Sequence, residues 1–288
     1  MKKILITGGN GFFASRLFQF YRHQYQIFPA SKKSLNILDK KKVYDAVELF
    51  QPDYVIHTAA IAVTDYCNQN PDICREINVT GTLNIAEACK QFKAKMIFIS
   101  SEQVFNGNQE SGPYGENDIA KPDTVYGQNK LESENLLKAL IPELWILRFT
   151  WLFGMPEKNC SINANIFWDT IKAASKPNRQ KVSCHEFRGF TDVNELVSQF
   201  HKVFNLPYGT YHIGSTNDLS RYDIVCFILK ELGLEKQIHQ IIEKDTDKYN
   251  KNPRDVRLKT DKIDALGFNF SNSTSAITKL IKDYPLRF

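Results

Sequence analysis

Lys3-Ile4-Leu5-Ile6-Thr7-Gly8-Gly9-Asn10-Gly11-Phe12-Phe13-Ala14 is an apolar run that stops at a glycine-rich turn and resumes as an apolar segment. This order predicts a buried strand, a tight turn and the start of a helix. Such a turn suits a pyrophosphate: Gly8 allows a sharp bend, Gly11 lets the backbone approach a phosphate, and small Ala14 lets helix and strand pack. Ordinary strand–helix connections can look similar. The position near the N-terminus, between a strand and a helix, favours dinucleotide binding by Gly8, Asn10, Gly11, Phe12 and Phe13.

Outward from this turn, short apolar runs alternate with longer amphipathic stretches. Residues 26–29, 54–57, 95–99 and 145–149 read as strands, and residues 14–23, about 71–92 and 124–140 as helices. In the second helix Ile77, Leu83, Ile85, Ala86 and Cys89 supply the buried stripe. The alternation predicts an α/β fold, a Rossmann-type doubly wound parallel sheet with helices on both faces. It weakens after Gly154, which suggests a dinucleotide-binding domain over 1–152 and a smaller C-terminal, mainly substrate-binding region over 153–288. The segment 187–214 is expected to return to the sheet through a strand at 209–213. Residues 219–234 and 275–283 read as helices, and 243–252 as a solvated loop.

Composition narrows the function classes. A chain of 288 residues with 42% hydrophobic content is long and apolar enough for a large core, so disorder is excluded. Its 37 Lys and Arg against 32 Asp and Glu give a net charge of +5, spread without a basic stripe, so nucleic acid is not an expected partner. Six cysteines form no CxxC pair and no Cys/His spacing suited to zinc. The opening apolar run is too short for a signal peptide and no stretch is long enough to span a bilayer, so a cytoplasmic protein without membrane attachment is expected.

Cofactor preference is read at the end of the second strand, Ala30-Ser31-Lys32-Lys33. No acid is present there to grip a ribose 2′-hydroxyl. Ser31, Lys32 and Lys33 would favour a 2′-phosphate, hence NADP(H) over a still possible NAD(H). Asn36 and Ile37 are placed to meet the adenine edge. Tyr126 and Lys130, four apart at the start of a helix, share one face. Together with the helix N-terminus, the cation would lower the phenol pKa for proton exchange, although such a pair is also common on surfaces. Ser101, at the end of the strand at 95–99, could orient a substrate carbonyl or serve only as a helix cap.

With these elements in order, the chain resembles the extended short-chain dehydrogenase/reductase superfamily. The resemblance rests on the glycine turn, His57-Thr58-Ala59-Ala60, Asn78-Val79-Thr80-Gly81-Thr82, the serine at the strand end, Tyr126-x-x-x-Lys130 and Ile146-Leu147-Arg148. Within it, Ser100-Ser101-Glu102-Gln103-Val104-Phe105-Asn106-Gly107, Val125–Glu134 and Leu147-Arg148-Phe149-Thr150-Trp151-Leu152-Phe153-Gly154 are most similar to dTDP-4-dehydrorhamnose reductases. The resemblance implies that Thr58, Ala59, Ala60, Asn78, Ser100 and Phe149 also face the cofactor. It further implies that Ser101, Tyr126 and Lys130 are catalytic, and that Glu102, Trp151, Arg188, Arg254 and Arg257 meet a nucleotide-sugar.

Phe12 and Arg16 stand where those reductases carry Gln and Glu near the third glycine, so no metal is expected. Glu102-Gln103 replaces their Asp-Tyr. The arginines could face a diphosphate or pair with acids such as Glu186 and Asp255. The resulting reading is NADPH-dependent reduction of a keto group on a nucleotide-linked deoxysugar, with a homodimer left open. The alternatives are a nucleotide-sugar epimerase or dehydratase, and a non-catalytic NADP-binding subunit similar to the methionine adenosyltransferase beta subunit.

Overall fold

The computed structural model describes residues 1–284. Six strands form one parallel sheet: β1 (Lys3–Thr7), β2 (Gln26–Ala30), β3 (Tyr54–His57), β4 (Lys95–Ser101), β5 (Leu144–Phe149) and a late arrival, Gly209–Ile213. Across the sheet the order is β2-β1-β3-β4-β5 and then Gly209–Ile213. The chain leaves β1 for β2 on one side and returns to β3 on the other, so the crevice where dinucleotides bind in such sheets lies between the ends of β1 and β3.

Strand periodicity explains why both faces are buried. Ile4, Ile6, Ile56, Ile97, Trp145 and Leu147 point to one face, against Leu17, Val197, Phe200 and Val203. Their neighbours Leu5, Val55, Met96, Phe98 and Ile146 point to the other, against Val43, Ile85 and Leu137. A period of two puts adjacent apolar residues on opposite faces, and only a sheet covered on both sides makes use of an unbroken apolar run.

The helices of the first half are α1 (Phe12–Tyr21), α2 (Lys40–Phe50), α3 (Thr64–Gln69), α4 (Pro71–Arg75), α5 (Gly81–Phe92) and α6 (Val125–Leu140). The single helix expected over 71–92 is therefore interrupted: between α4 and α5 the backbone widens into a π turn at Glu76–Thr80. Such a turn leaves a carbonyl out of register, and that of Asn78 accepts hydrogen bonds from the hydroxyls of Thr82 (2.6 Å) and Ser133 (3.0 Å).

The second region is built from short pairs. β6 (Trp151–Phe153) lies beside β9 (Phe190–Asp192), β7 (Gln180–Ser183) beside β11 (Ile242–Asp245), and β8 (Glu186–Phe187) beside β12 (Arg254–Asp255); the returning strand Gly209–Ile213 is β10. The expected loop at 243–252 thus begins as a strand, since residues 243–245 pair with 181–183. Helices α7 (Ile166–Ala174), α8 (Val193–Gln199), α9 (Arg221–Glu231), α10 (Ile238–Ile241), α11 (Asp261–Asp264) and α12 (Ser273–Asp283) complete the chain, and a second apolar core joins α7, α9 and α12. Among the described residues no helix is long and apolar enough to cross a membrane.

Candidate active site

Two loops meet at the ends of β1 and β3. Gly8 adopts φ +67°, and a Cβ there would come within 2.9 Å of the Ala59 backbone, so the turn admits only glycine without displacing the neighbouring loop. The Gly11 amide donates to the Gly8 carbonyl (2.8 Å). Gly11 caps α1 with no side-chain hydrogen bond, and no acid lies in the first turn. The first amides of that helix are thus free to meet an anion, whereas Thr124, Ser220 and Asn272 supply caps to α6, α9 and α12. This cradle fits a pyrophosphate.

The residues expected around the cofactor divide into loop groups and core groups. Thr58 donates to the Thr7 carbonyl (2.6 Å) and the Ala59 amide reaches Thr7 Oγ1, which fixes Thr58, Ala59 and Ala60 against β1. Asn78 holds both backbone groups of Ile61, accepting at 2.8 Å and donating at 3.0 Å, and so braces the same loop. Asn10, Asn36, Lys32 and Lys33 are exposed, while Ser31 exchanges hydrogen bonds with Ser34. Ile37 is buried instead, pressed on Gly81 with its carbonyl held by Asn84. Phe13 and Phe149 pack edge to face at 5.2 Å inside the core, and Phe12 lies under the Arg16 guanidinium at 4.1 Å. The Ser100 hydroxyl donates to Glu134 (2.6 Å), which also takes a two-pronged ion pair from Arg148. The hydroxyl of Ser100 is thus engaged between β4 and α6.

Arg16, where an acid is usual in the resembled reductases, acts as a buried staple. It donates to the carbonyls of Phe12, Ser161 and Met155 and pairs with Glu157 at 3.0 Å, tying α1 to the loop at 155–161.

Ser101, Tyr126 and Lys130 come together at the carboxyl edge of the sheet. Ser101 ends β4 and accepts from the Gln103 amide (3.2 Å), so it caps the short helix at Glu102–Phe105, and its side chain lies near enough to Tyr126 to act on the phenol. The expectation for the phenol is corrected. Burial pushes Tyr126 far above its ordinary value, and Ser101 opposes it. Lys130 does not lower it because the ammonium turns away: Nζ donates to the Ile99 carbonyl (2.7 Å) and sits 4.6 Å over Phe98 but 5.9 Å from the Tyr126 ring centroid. Burial lowers Lys130 to about 8, partly offset by Glu134.

Beside this group opens a cleft of about 950 Å³. Thr64, Asn68, Asn106 and Thr124 form one wall; Trp151, Arg188, Arg221 and Arg254 form the other, below a rim at 247–253. Arg188 and Arg221 lie 4.9 Å and 5.4 Å over the Trp151 ring. Two expected substrate contacts are placed differently. Arg257 turns from the cleft to Asp255 (2.8 Å), Asp218 (2.9 Å) and the Gly112 carbonyl. Glu102 is buried beneath the wall, 2.8 Å from Arg188. Arg254 lines the cleft but is engaged by Gln103, Tyr249 and Glu186. Arg221, which completes the wall, escaped the sequence reading because nothing local marks a helix-start arginine; Glu186, expected as a pairing acid, takes that place on the floor.

Comparison with known proteins extends the likeness over almost the whole chain. The spore coat polysaccharide biosynthesis protein SpsK of Bacillus subtilis is 30% identical over 257 residues, 88% of this chain and 87% of that protein. A dTDP-4-dehydrorhamnose reductase of Aggregatibacter actinomycetemcomitans is 27% identical over 84% of this chain and 83% of its own length. The bovine methionine adenosyltransferase 2 subunit beta is 24% identical over 92% and 83% respectively. The structure of a Bacillus anthracis dTDP-4-dehydrorhamnose reductase in complex with NADP superposes with a TM-score of 0.87 at 24% identity, covering 99% of this chain and all of that one. Residues 1–285 match the family described as RmlD substrate binding domain. Its span takes in the glycine cradle, the Ser101–Tyr126–Lys130 group and the arginine-walled cleft alike, and the chain belongs to that family.

Proposed function

We propose that this protein reduces a keto group on a nucleotide-linked deoxysugar with NADPH. The observation that carries the reading is the group of half-buried Ser101 with buried Tyr126 and Lys130, set between a glycine cradle that fits a pyrophosphate and a cleft walled by arginines. Gly8, Gly11 and the first amides of α1 would hold the pyrophosphate, and Ser31, Lys32 and Lys33 the 2′-phosphate. The dinucleotide supplies hydride when bound. Burial keeps Tyr126 protonated, the form in which it donates a proton to a carbonyl oxygen. Ser101 orients that oxygen. Lys130 is anchored on Ile99 by one of its three donors and keeps the others for a ribose hydroxyl. The names of the Aggregatibacter and Bacillus anthracis relatives support both the reaction and the cofactor, and such a substrate is consistent with a cytoplasmic protein.

The test is NADPH consumption by the purified protein with dTDP-4-keto-6-deoxy-L-mannose, beside NADH and beside Tyr126→Phe. The variant is expected to lose about 100- to 10,000-fold in turnover while NADPH affinity is kept; unchanged turnover would overturn the assignment. The likeness to the bovine subunit carries a second reading, a non-catalytic dinucleotide-binding partner of another enzyme. A stable complex with such an enzyme and no consumption of NADPH would favour it.

A further inference from the structure

Five charged groups form one cluster at the cleft: Glu186, Arg188, Arg221 and Arg254 line it, and Glu102 lies beneath them. Glu186 is 2% exposed and faces three guanidiniums, Arg221 at 3.2 Å, Arg188 at 3.5 Å and Arg254 at 3.7 Å. Glu102, equally buried, has one close partner: its Oε1 lies 2.8 Å from Arg188 Nη2. That contact is an ion pair without hydrogen-bond alignment. Glu102 Oε2, Arg188 Nε and Arg188 Nη2 have no hydrogen-bond partner among the described residues. The two carboxylates therefore differ in kind. Burial works to raise Glu186, but the three arginines outweigh it and hold that group below its ordinary value. Burial raises Glu102 to about 7, against Arg188 and Arg254 and with help from Glu186.

Three arginines against two ionised carboxylates leave one net positive charge, a weak match for a diphosphate. We propose that Glu102 is an exchangeable counter-ion: a diphosphate-bearing ligand seating on Arg188 takes over its guanidinium, and the released Glu102 carboxylate takes up one proton from solvent. The inference rests on the nucleotide-linked substrate proposed above. Glu102 does not line the cleft, whereas Arg188 does, so Glu102 is a positioning residue that acts through Arg188. The charged and titratable groups around it are Arg188 and Glu186 from the β8–β9 segment, Arg254 from β12 and Tyr126 from α6. Arg221 of α9 acts on it through Glu186. Below the pH at which Glu102 ionises, the proton is already in place and affinity is highest. Above it, each binding event must bring a proton, and affinity falls by up to about tenfold per pH unit.

Calorimetric titration with dTDP-glucose and with UDP-glucose, in buffers of differing ionisation enthalpy near about pH 8, tests this, because the phosphodiesters of both probes carry fixed charge there. Wild type is expected to take up close to one proton. Glu102→Gln should take up none and bind with nearly pH-independent affinity, and Glu102→Asp should restore the uptake, which a merely structural role would not do. Equal uptake in wild type and Glu102→Gln, a flat affinity profile in wild type, or no binding of either probe would overturn the proposal. NADPH consumption is read separately: turnover without proton-linked binding removes the role of Glu102 alone, and Glu102-dependent uptake without turnover removes only the reductase reading.

Discussion

His57 at the sheet edge and Glu102 under the cleft are both buried titratable groups, and burial drives them opposite ways on the pH scale. His57 is lowered to about 3 by burial, with Lys130 adding to the effect, and stays neutral between the hydroxyls of Thr7 (2.7 Å) and Thr82 (2.9 Å). Glu102 is raised to about 7. Each environment favours the uncharged form, yet one is completed by neutral hydrogen bonds and the other by charges. The sheet edge is a finished network, fixed before any ligand arrives. The cleft floor is a set of like and unlike charges in partial balance, and an added anion alters it.

The contrast is tested most strongly by breaking one charge pair on each side. Glu134→Ala leaves Arg148, 3% exposed, without its two-pronged partner, and should destabilise the fold by about 3–5 kcal/mol in denaturant unfolding. Arg221→Ala leaves Glu186 with two further arginines and should cost about 1–2 kcal/mol. Equal losses would show that the floor is no more adaptable than the edge.

A second experiment reads the sign of the pH response. The folded values of His57 and His212, both lowered to about 3 chiefly by burial, lie below the ordinary 6.5. The unfolded chain therefore binds the extra protons, and stability falls with acidification from about 6.5 downward, by about 1.4 kcal/mol per pH unit for each histidine. Glu102 and Asp192, raised to about 7 and about 6 chiefly by burial, work in reverse: the unfolded chain ionises first, and stability falls as pH climbs from about 4. The two effects oppose each other between these limits. Unfolding series across that window should show Glu102→Gln with a steeper gain in stability as pH rises, and His57→Asn with a shallower gain or a loss. Parallel profiles for the two variants would break the contrast.

A pair of glycines separates close approach from backbone strain. Gly8 and Gly233 have similar angles, φ +67° and φ +76°, but nothing lies within 4 Å of a Cβ at Gly233. Alanine at either should cost about 1–3 kcal/mol from strain, whereas only Gly8→Ala should also weaken NADPH binding, as measured by fluorescence titration. An equal loss of affinity in both would detach the turn from the cofactor.

The strands at 3–7, 54–57 and 95–99 were legible because a strand buried on both faces is largely apolar. The glycine turn was legible because its conformation restricts residue type. The π turn at Glu76–Thr80 was not: the Gly81 amide bonds back to the Glu76 carbonyl across it, and the Asn78 carbonyl within it is held by Thr82 and, from another helix, by Ser133. At the site, Tyr126 and Lys130 share a helix face as the spacing requires. The turn of the ammonium toward Ile99 depends on a strand some 31 residues away, which no local pattern encodes. The arginine wall was legible only as candidates: Arg188 and Arg254 meet at Glu186 through pairing of β8 with β12, whereas Arg257, three residues further on, is held outside by Asp255 and Asp218.

The sheet receives its last strand late. β10 adds to β5 only after β6–β9 and α7–α8 have been laid down. A chain ended at residue 152 would leave β5, buried along its whole length in the complete fold, as an apolar edge with open amides and carbonyls. Such an edge recruits other chains. Expression of the first half alone should therefore give aggregates, and a fragment meant to stay in solution would need to extend past Ile213.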